Sequence, residues 1–204
     1  MAGLFDSNNP VWRWMGRVAD LFFLTMLWAV CCLPVVTAGA STTALYYVAL
    51  KMAKNHEGYL LRSFFKSFKE NFVLSTVIWA VTAVAGGALA AGFYAAGRLA
   101  LRQSAFFLCV LTVFLVLYLF TVTMIYPLAA RLDTDVGHLF LMAFMTAVKN
   151  FSWVLLMAVV SLCVAAVGIF VFWPVLFVAA GGIAYVHGLI LEYVVFPKYG
   201  WEEK

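Results

Sequence analysis

Residues 72–94, 105–126 and 151–172 carry no charged side chain, and each stretch exceeds the roughly 18 apolar residues that mark a bilayer span. A water-soluble domain has too little interior to hide three such runs. Composition agrees: 66% of the 204 residues are hydrophobic and 11% are charged, where a soluble domain is nearer half apolar and a quarter charged. The expectation is an all-α, polytopic membrane bundle forming a single domain over residues 1–204. The N-terminus, MAGLFDSNNPVWRWMGR, lacks a basic start followed by an apolar run, so no cleavable signal peptide is expected.

The net charge of +4 is spread over the ends of the apolar runs and does not form the dense basic patch that nucleic-acid binding needs. Six membrane segments are read at about 18–33, 41–53, 72–94, 105–126, 151–172 and 175–193. The first two are short, and Pro34 and Gly39 break the chain between them. Taken as a hairpin, they put eleven Lys and Arg on one side against two (Arg98 and Arg102) on the other. Taken as one broken span, giving five spans in all, the split is nine to four. The positive-inside rule favours six segments in the cell membrane with both termini cytoplasmic. Trp12, Arg13, Trp14 and Arg17 suit the headgroup region. Asp20, near the start of the first segment, suits a positive helix terminus. Thr37, Ser41, Thr42 and Thr43 are available to satisfy backbone at the break, with Ser41 or Thr42 as a helix cap.

Residues 42–72 and 121–151 form a weak parallel repeat. Seven identities align at a fixed offset: Thr42/Thr121, Tyr47/Tyr126, Gly58/Gly137, Leu60/Leu139, Phe65/Phe144, Asn71/Asn150 and Phe72/Phe151. In each copy an apolar segment runs through a polar turn into a second helical arm and back into an apolar segment. On a helical wheel the first arm puts Arg62, Lys66 and Lys69 on one side and Leu60, Leu61, Phe64, Phe65, Phe68 and Phe72 on the other. It should lie in the interface with its aromatic side toward lipid, its lysines meeting anionic lipid or a partner. A topology anchor and a docking helix are both consistent with that pattern. The second arm lacks these charges and is expected to be more buried against the bundle.

Small residues recur at Ala83, Gly87 and Ala91 and at Ala180, Ala184 and Gly188, in stripes suited to helix packing in lipid. The polar candidates at membrane depth are Asp20, His187 and Glu192. His187 and Glu192 are five residues apart and need not meet. His56 and His138 lie in the arms without metal-ligand spacing, so no metal site is expected. Cys31, Cys32, Cys109 and Cys163 read as small hydrophobes. No GxSxG, HExxH, Walker A or GxGxxG motif occurs, and no catalytic residue or cofactor is expected.

The stretches FDSNNPVWRWMGRVADLF (5–22), LWAVCCLPVVTAGASTTALYYVALKMAKNHEGY (27–59), SFFKSFKENF (63–72) and IYPLAARLDTDVGHLFLMAFMTAVKN (125–150) resemble the YesL family of small bacterial integral membrane proteins. The resemblance brings no catalytic residues with it. Through the genomic neighbourhoods of such proteins, it implies an accessory role beside carbohydrate ABC importers or sensor kinases, whose permease or kinase subunits would be the partners. The leading expectation is a non-enzymatic accessory membrane protein. The alternative is a small transporter or channel built on the parallel repeat.

Overall fold

The computed structural model describes residues 10–54, 59–98, 101–170 and 173–201. The expectations placed on residues 5–9, His56 and Gly58, and on the side chains of Trp12, Arg13, Trp14 and Arg102, lie outside the described residues. The helices are α1 (Pro10–Cys31), α2 (Ala38–Ala53), α3 (Leu60–Glu70), α4 (Phe72–Ala96), α5 (Leu101–Arg131), α6 (Val136–Lys149), α7 (Phe151–Phe170) and α8 (Leu176–Ile190). The last continues through a π turn, Leu191–Val195, into a 3-10 turn, Phe196–Lys198. No strand occurs among the described residues. Four helical stretches are long and apolar enough to cross a bilayer: Phe72–Ala96, Ala105–Arg131, Phe151–Phe170 and Leu176–Lys198. The chain is a multi-pass helical membrane protein.

The first apolar segment begins earlier than its hydropathy suggests. Pro10 opens α1, where a missing N–H costs nothing, and the helix runs through Arg17 and Asp20. Asp20 is therefore ten residues inside the helix, not beside its positive terminus, and it is exposed. After Cys31 the chain breaks at Pro34 and re-enters as α2 at Ala38. Thr37 flanks the new helix without a side-chain capping bond, and Ser41 and Thr42 fall inside it, so neither is the cap. Their hydroxyls work across the break instead. Thr37 Oγ1 donates to the carbonyls of Cys31 (2.6 Å) and Pro34 (2.7 Å), and Ser41 Oγ donates to that of Trp28 (3.0 Å). Trp28 Nε1 donates to Thr42 Oγ1 (3.2 Å).

Helix α8 fixes the directions. Against it, α1 runs antiparallel: Arg17 meets Tyr185, Thr25 meets Gly181, and Phe22 meets Phe177. Helix α2 runs parallel: Tyr46 meets His187, Ala49 meets Gly188, and Tyr193 reaches Ala53. So α1 and α2 form an antiparallel hairpin. Although only 16 residues long, about 24 Å at 1.5 Å per residue, α2 is the centre of the bundle. It touches α1, α3, α4, α5 and α8, and twelve of its residues are buried. Its small residues let neighbours approach. A Cβ at Gly39 would collide with the Ser75 carbonyl and sit 2.7 Å from Trp79 Cβ in α4. Gly188 brings α8 onto the Ala49 carbonyl. Ser75 Oγ donates to Thr43 Oγ1 at 2.8 Å, closing the α2–α4 seam.

The arms α3 and α6, the ends of α2, α5 and α8, and the segment after α8 gather at one end of the bundle, called here the arm side. Each arm folds back along the helix before it. Phe151, at the end of the second arm, stacks on Phe120, eleven residues before the end of α5 (ring centroids 5.1 Å). Each arm also ends on an asparagine that begins the next long helix. Asn71 Nδ2 donates to the Ser67 carbonyl and Asn150 Nδ2 to the Thr146 carbonyl, both at 3.1 Å.

One expectation about the arms is corrected. The apolar side of α3 does not simply face lipid. Phe64 is fully buried against the core with Leu60 and Phe68 packed beside it, and only Leu61, Phe65 and Phe72 are exposed. The helix has a core face, an exposed apolar face and a basic face. The second arm is the more buried of the two, as expected, with four enclosed residues against two in α3, but one side of it stays open. Leu139, Ala143, Thr146 and Ala147 face the core, while Leu141, Phe144, Met145 and Val148 are exposed.

Candidate functional site at the arm side

The polar chemistry of the described residues concentrates where three helices end. Glu192 lies in the π turn, its side chain almost wholly enclosed. Its Oε1 stands 2.9 Å from Lys54 Nζ at the end of α2, and its Oε2 accepts from Arg131 Nη1 at the end of α5. One carboxylate therefore joins the C-termini of α2 and α5 to α8. Each cation also lies at a helix C-terminus, where the macrodipole favours positive charge. Arg131 is saturated by its surroundings: Nε and Nη2 donate to the Trp201 carbonyl (3.3 and 2.8 Å), and the guanidinium covers the Phe196 ring at 4.5 Å.

The segment after α8 folds back over this cluster. Tyr199 stacks on Trp201 (centroids 4.7 Å), Tyr199 Oη accepts from Asn150 Nδ2 (2.9 Å), and Lys198 Nζ donates to Asn150 Oδ1 (3.2 Å). Asn150 thus holds the α6–α7 junction and the C-terminal segment together. Gly200 takes a left-handed φ of 61° in the turn between these two aromatic residues, a conformation that glycine adopts without strain.

Beside the cluster the first arm presents its charges. Arg62, Lys66 and Lys69 are exposed on α3, and Lys66 makes a loose i,i+4 pair with Glu70 at 3.9 Å. Between α3, α2 and the turn after α5 lies a half-open cleft of about 390 Å³ lined by Tyr47, Lys66, Glu70, Asn71 and Asp133. Lys51 Nζ sits 4.6 Å from the centre of the Tyr47 ring.

His187 belongs to a separate, buried site between α2, α7 and α8. Its Nε2 is 3.0 Å from the Met157 carbonyl, which can only accept, so that nitrogen carries the hydrogen. Nδ1 then accepts from Tyr46 Oη at 3.0 Å. Ser161 Oγ is 3.1 Å from Nε2 but donates to the same Met157 carbonyl (2.9 Å). The serine proton is directed at a backbone carbonyl and not at the imidazole, so the trio is a hydrogen-bonded brace and not an activated nucleophile. His187 and Glu192 share no partner.

The two small-residue stripes part company. Ala184 and Gly188 are buried and Ala180 packs partly against the core, so that stripe is spent inside the bundle and is not free for a neighbour. Ala83, Gly87 and Ala91 are exposed, and a Cβ on Gly87 would meet nothing. The close approach to α5 is made instead by Gly86, under Tyr118, and Gly92, under Leu111. No group of three or more His, Cys, Asp or Glu able to hold a metal occurs among the described residues. Sequence reasoning missed Arg131, Tyr46 and Trp201. Asn150 stood in the repeat alignment as an identity with Asn71, a signal that pointed to position but not to role.

Residues 21–93, which run from the second half of α1 to all but the last turn of α4, match the family model described as "Protein of unknown function, DUF624". No curated protein and no solved structure matches the chain.

Proposed function

We propose that the protein is a non-enzymatic accessory component of the bacterial cell membrane, a YesL-type protein that works beside a carbohydrate ABC importer or its sensor kinase. The observation that carries this reading is the contrast at the arm side. The buried polar groups there are consumed in holding helices together, while Arg62, Lys66 and Lys69 stay presented on a helix anchored through Phe64. That is a basic surface on a helix fixed to the core. The family match to residues 21–93 agrees with the YesL resemblance but brings no activity. In this reading all six apolar helices cross or enter the bilayer, and the arm side is cytoplasmic, as the eleven-to-two distribution of Lys and Arg favours.

Purification from native membranes in mild detergent tests it. An importer permease or kinase subunit should travel with the wild-type protein and be lost when Arg62, Lys66 and Lys69 are all changed to Glu. If no such subunit accompanies the wild type, the accessory reading fails.

A second reading, a small transporter, is favoured by one observation: Asn71 and Asn150 make the same bond at the same junction. This supports α2–α3–α4 and α5–α6–α7 as parallel copies, an arrangement some carriers share. Reconstituted vesicles decide it. A panel of saccharides giving no solute-dependent flux removes the transporter.

A further inference from the structure

The two arms occupy matching places with opposite outer chemistry. At the repeat offset, Arg62, Lys66 and Lys69 of α3 correspond to Leu141, Met145 and Val148 of α6, and all six are exposed. The core-facing positions correspond as well: Phe64, Ser67 and Asn71 are buried, as are Ala143, Thr146 and Asn150. The arms therefore differ in what surrounds them and not in how they are mounted.

Helix lengths say what surrounds each. Helix α4 has 25 residues, about 37 Å, which covers the roughly 30 Å hydrocarbon layer with turns to spare. It can put Phe72, and α3 before it, at headgroup level. Helix α5 is longer still, at 31 residues, but its second half is packed inside the bundle and leaves a shorter open wall. Its outward-facing stretch runs from Ala105, just past the polar Arg102, Gln103 and Ser104, to Leu119. Those 15 residues measure about 22 Å, short of the layer by ~8 Å. Beyond Leu119, α5 is largely buried, and α6 covers it from the level of Phe120 and Phe151. The exposed apolar band continues without interruption in kind from α6 into α7, through Phe144, Met145, Val148, Phe151 and Leu155. Lys149, at the edge of that face, has a stem long enough to carry its charge outward.

We propose that the outer face of α6, around Phe144, Met145 and Val148, is seated among lipid acyl chains, while the corresponding face of α3 meets anionic headgroups. The two arms of the repeat sit at different depths, and the second forms part of the bilayer-facing wall.

Spin labels on the full-length protein test this. The four native cysteines are replaced by alanine, single cysteines are placed at Met145 or Lys66, and the protein is reconstituted in vesicles of phosphatidylcholine and phosphatidylglycerol. Collision with oxygen, which concentrates in acyl chains, is compared with collision with a water-soluble nickel chelate. The expected ratio of oxygen to nickel accessibility is several-fold higher at position 145 than at 66. A nickel-accessible label at 145 places α6 in water and overturns the proposal. A label at 145 shielded from both reagents means that a second copy or another protein covers the face, and this too overturns it. If Met145→Cys does not fold, Val148→Cys reads the same face. The outcome does not depend on whether an importer or kinase subunit is found, so this inference and the accessory reading fail separately.

Discussion

Asn71 and Asn150, seventy-nine residues apart, each turn their side-chain amide back onto the carbonyl four residues earlier at 3.1 Å. Each stands where an arm helix ends and a long helix begins. Each carbonyl already accepts the backbone N–H of the same asparagine, at 2.9 and 3.0 Å, and the side-chain amide adds a second bond to it. Asn71 adds a bond to Ser67 Oγ, whereas Asn150 adds Tyr199 and Lys198. Alanine at either position should lower stability by about 1–3 kcal/mol. Asn150→Ala should also loosen the C-terminal segment. Thermal melts in detergent measure the first effect, and protease cleavage near Tyr199 measures the second. Equal cleavage in both variants would contradict the role given to Asn150.

Glu192 joins two cations of unequal burial. Arg131 is 7% exposed and Lys54 25%. Glu192→Gln leaves the guanidinium enclosed without its counter-charge and should cost about 3 kcal/mol. Lys54→Ala removes the partner that water already reaches and should cost about 1 kcal/mol or less. Denaturant titration of the two variants side by side checks the order, and a larger loss for Lys54→Ala would reverse it.

Tyr46 and His187 should show energetic coupling. Tyr46→Phe deletes the hydroxyl donated to Nδ1 and should lower stability by about 1 kcal/mol. His187→Phe leaves the Tyr46 hydroxyl buried without an acceptor. The double variant should therefore be more stable than the sum of the two losses predicts, as a double-mutant cycle would reveal. Additive losses would mean that the 3.0 Å contact contributes nothing.

Two glycines of adjoining helices make a steric contrast. Gly39→Ala forces a methyl group onto α4 and should cost about 1–3 kcal/mol. Gly87→Ala meets no atom within 4 Å and should be neutral or slightly stabilising through helix propensity. Melting temperatures of the two variants decide it.

Asp135 and Arg98 lie at opposite ends of the bundle, both exposed. Single cysteines there, in a background without native cysteines, should react with impermeant reagent from opposite sides of the membrane. The Asp135 site should be protected in intact cells. Labelling of both positions from outside would contradict a cytoplasmic arm side.

Much of the scaffold was legible in the sequence, because the long uncharged runs admit few alternatives and the arms carry their own turn residues and amphipathic pattern. The centre was not. Residues 41–53 read only as a short membrane segment, yet they belong to the most enclosed of the described helices. Their burial is conferred by neighbours, and no local pattern reports that. The Glu192 cluster was hidden for a related reason. Glu192 stood out as a polar candidate, but Lys54 and Arg131 come from helix ends far from it in sequence and looked like ordinary boundary charges. The greater burial of α6 was legible, but its exposed face was not, because an apolar arm in a membrane protein has two places to hide, the bundle or the lipid, and its sequence alone does not choose.

The central position of α2 bears on how the molecule is made. It is the second of the eight helices to leave the ribosome, but its brace to His187 spans 141 residues and its tie to Tyr193 spans 140. Until α8 emerges, the Tyr46 hydroxyl has no His187 to bond and the Ala49 side of α2 has no wall. Before that point α2 has α1, α3, α4 and α5 to pack against, and one side of it stays open. The helix synthesised second is completed only by the helix synthesised last.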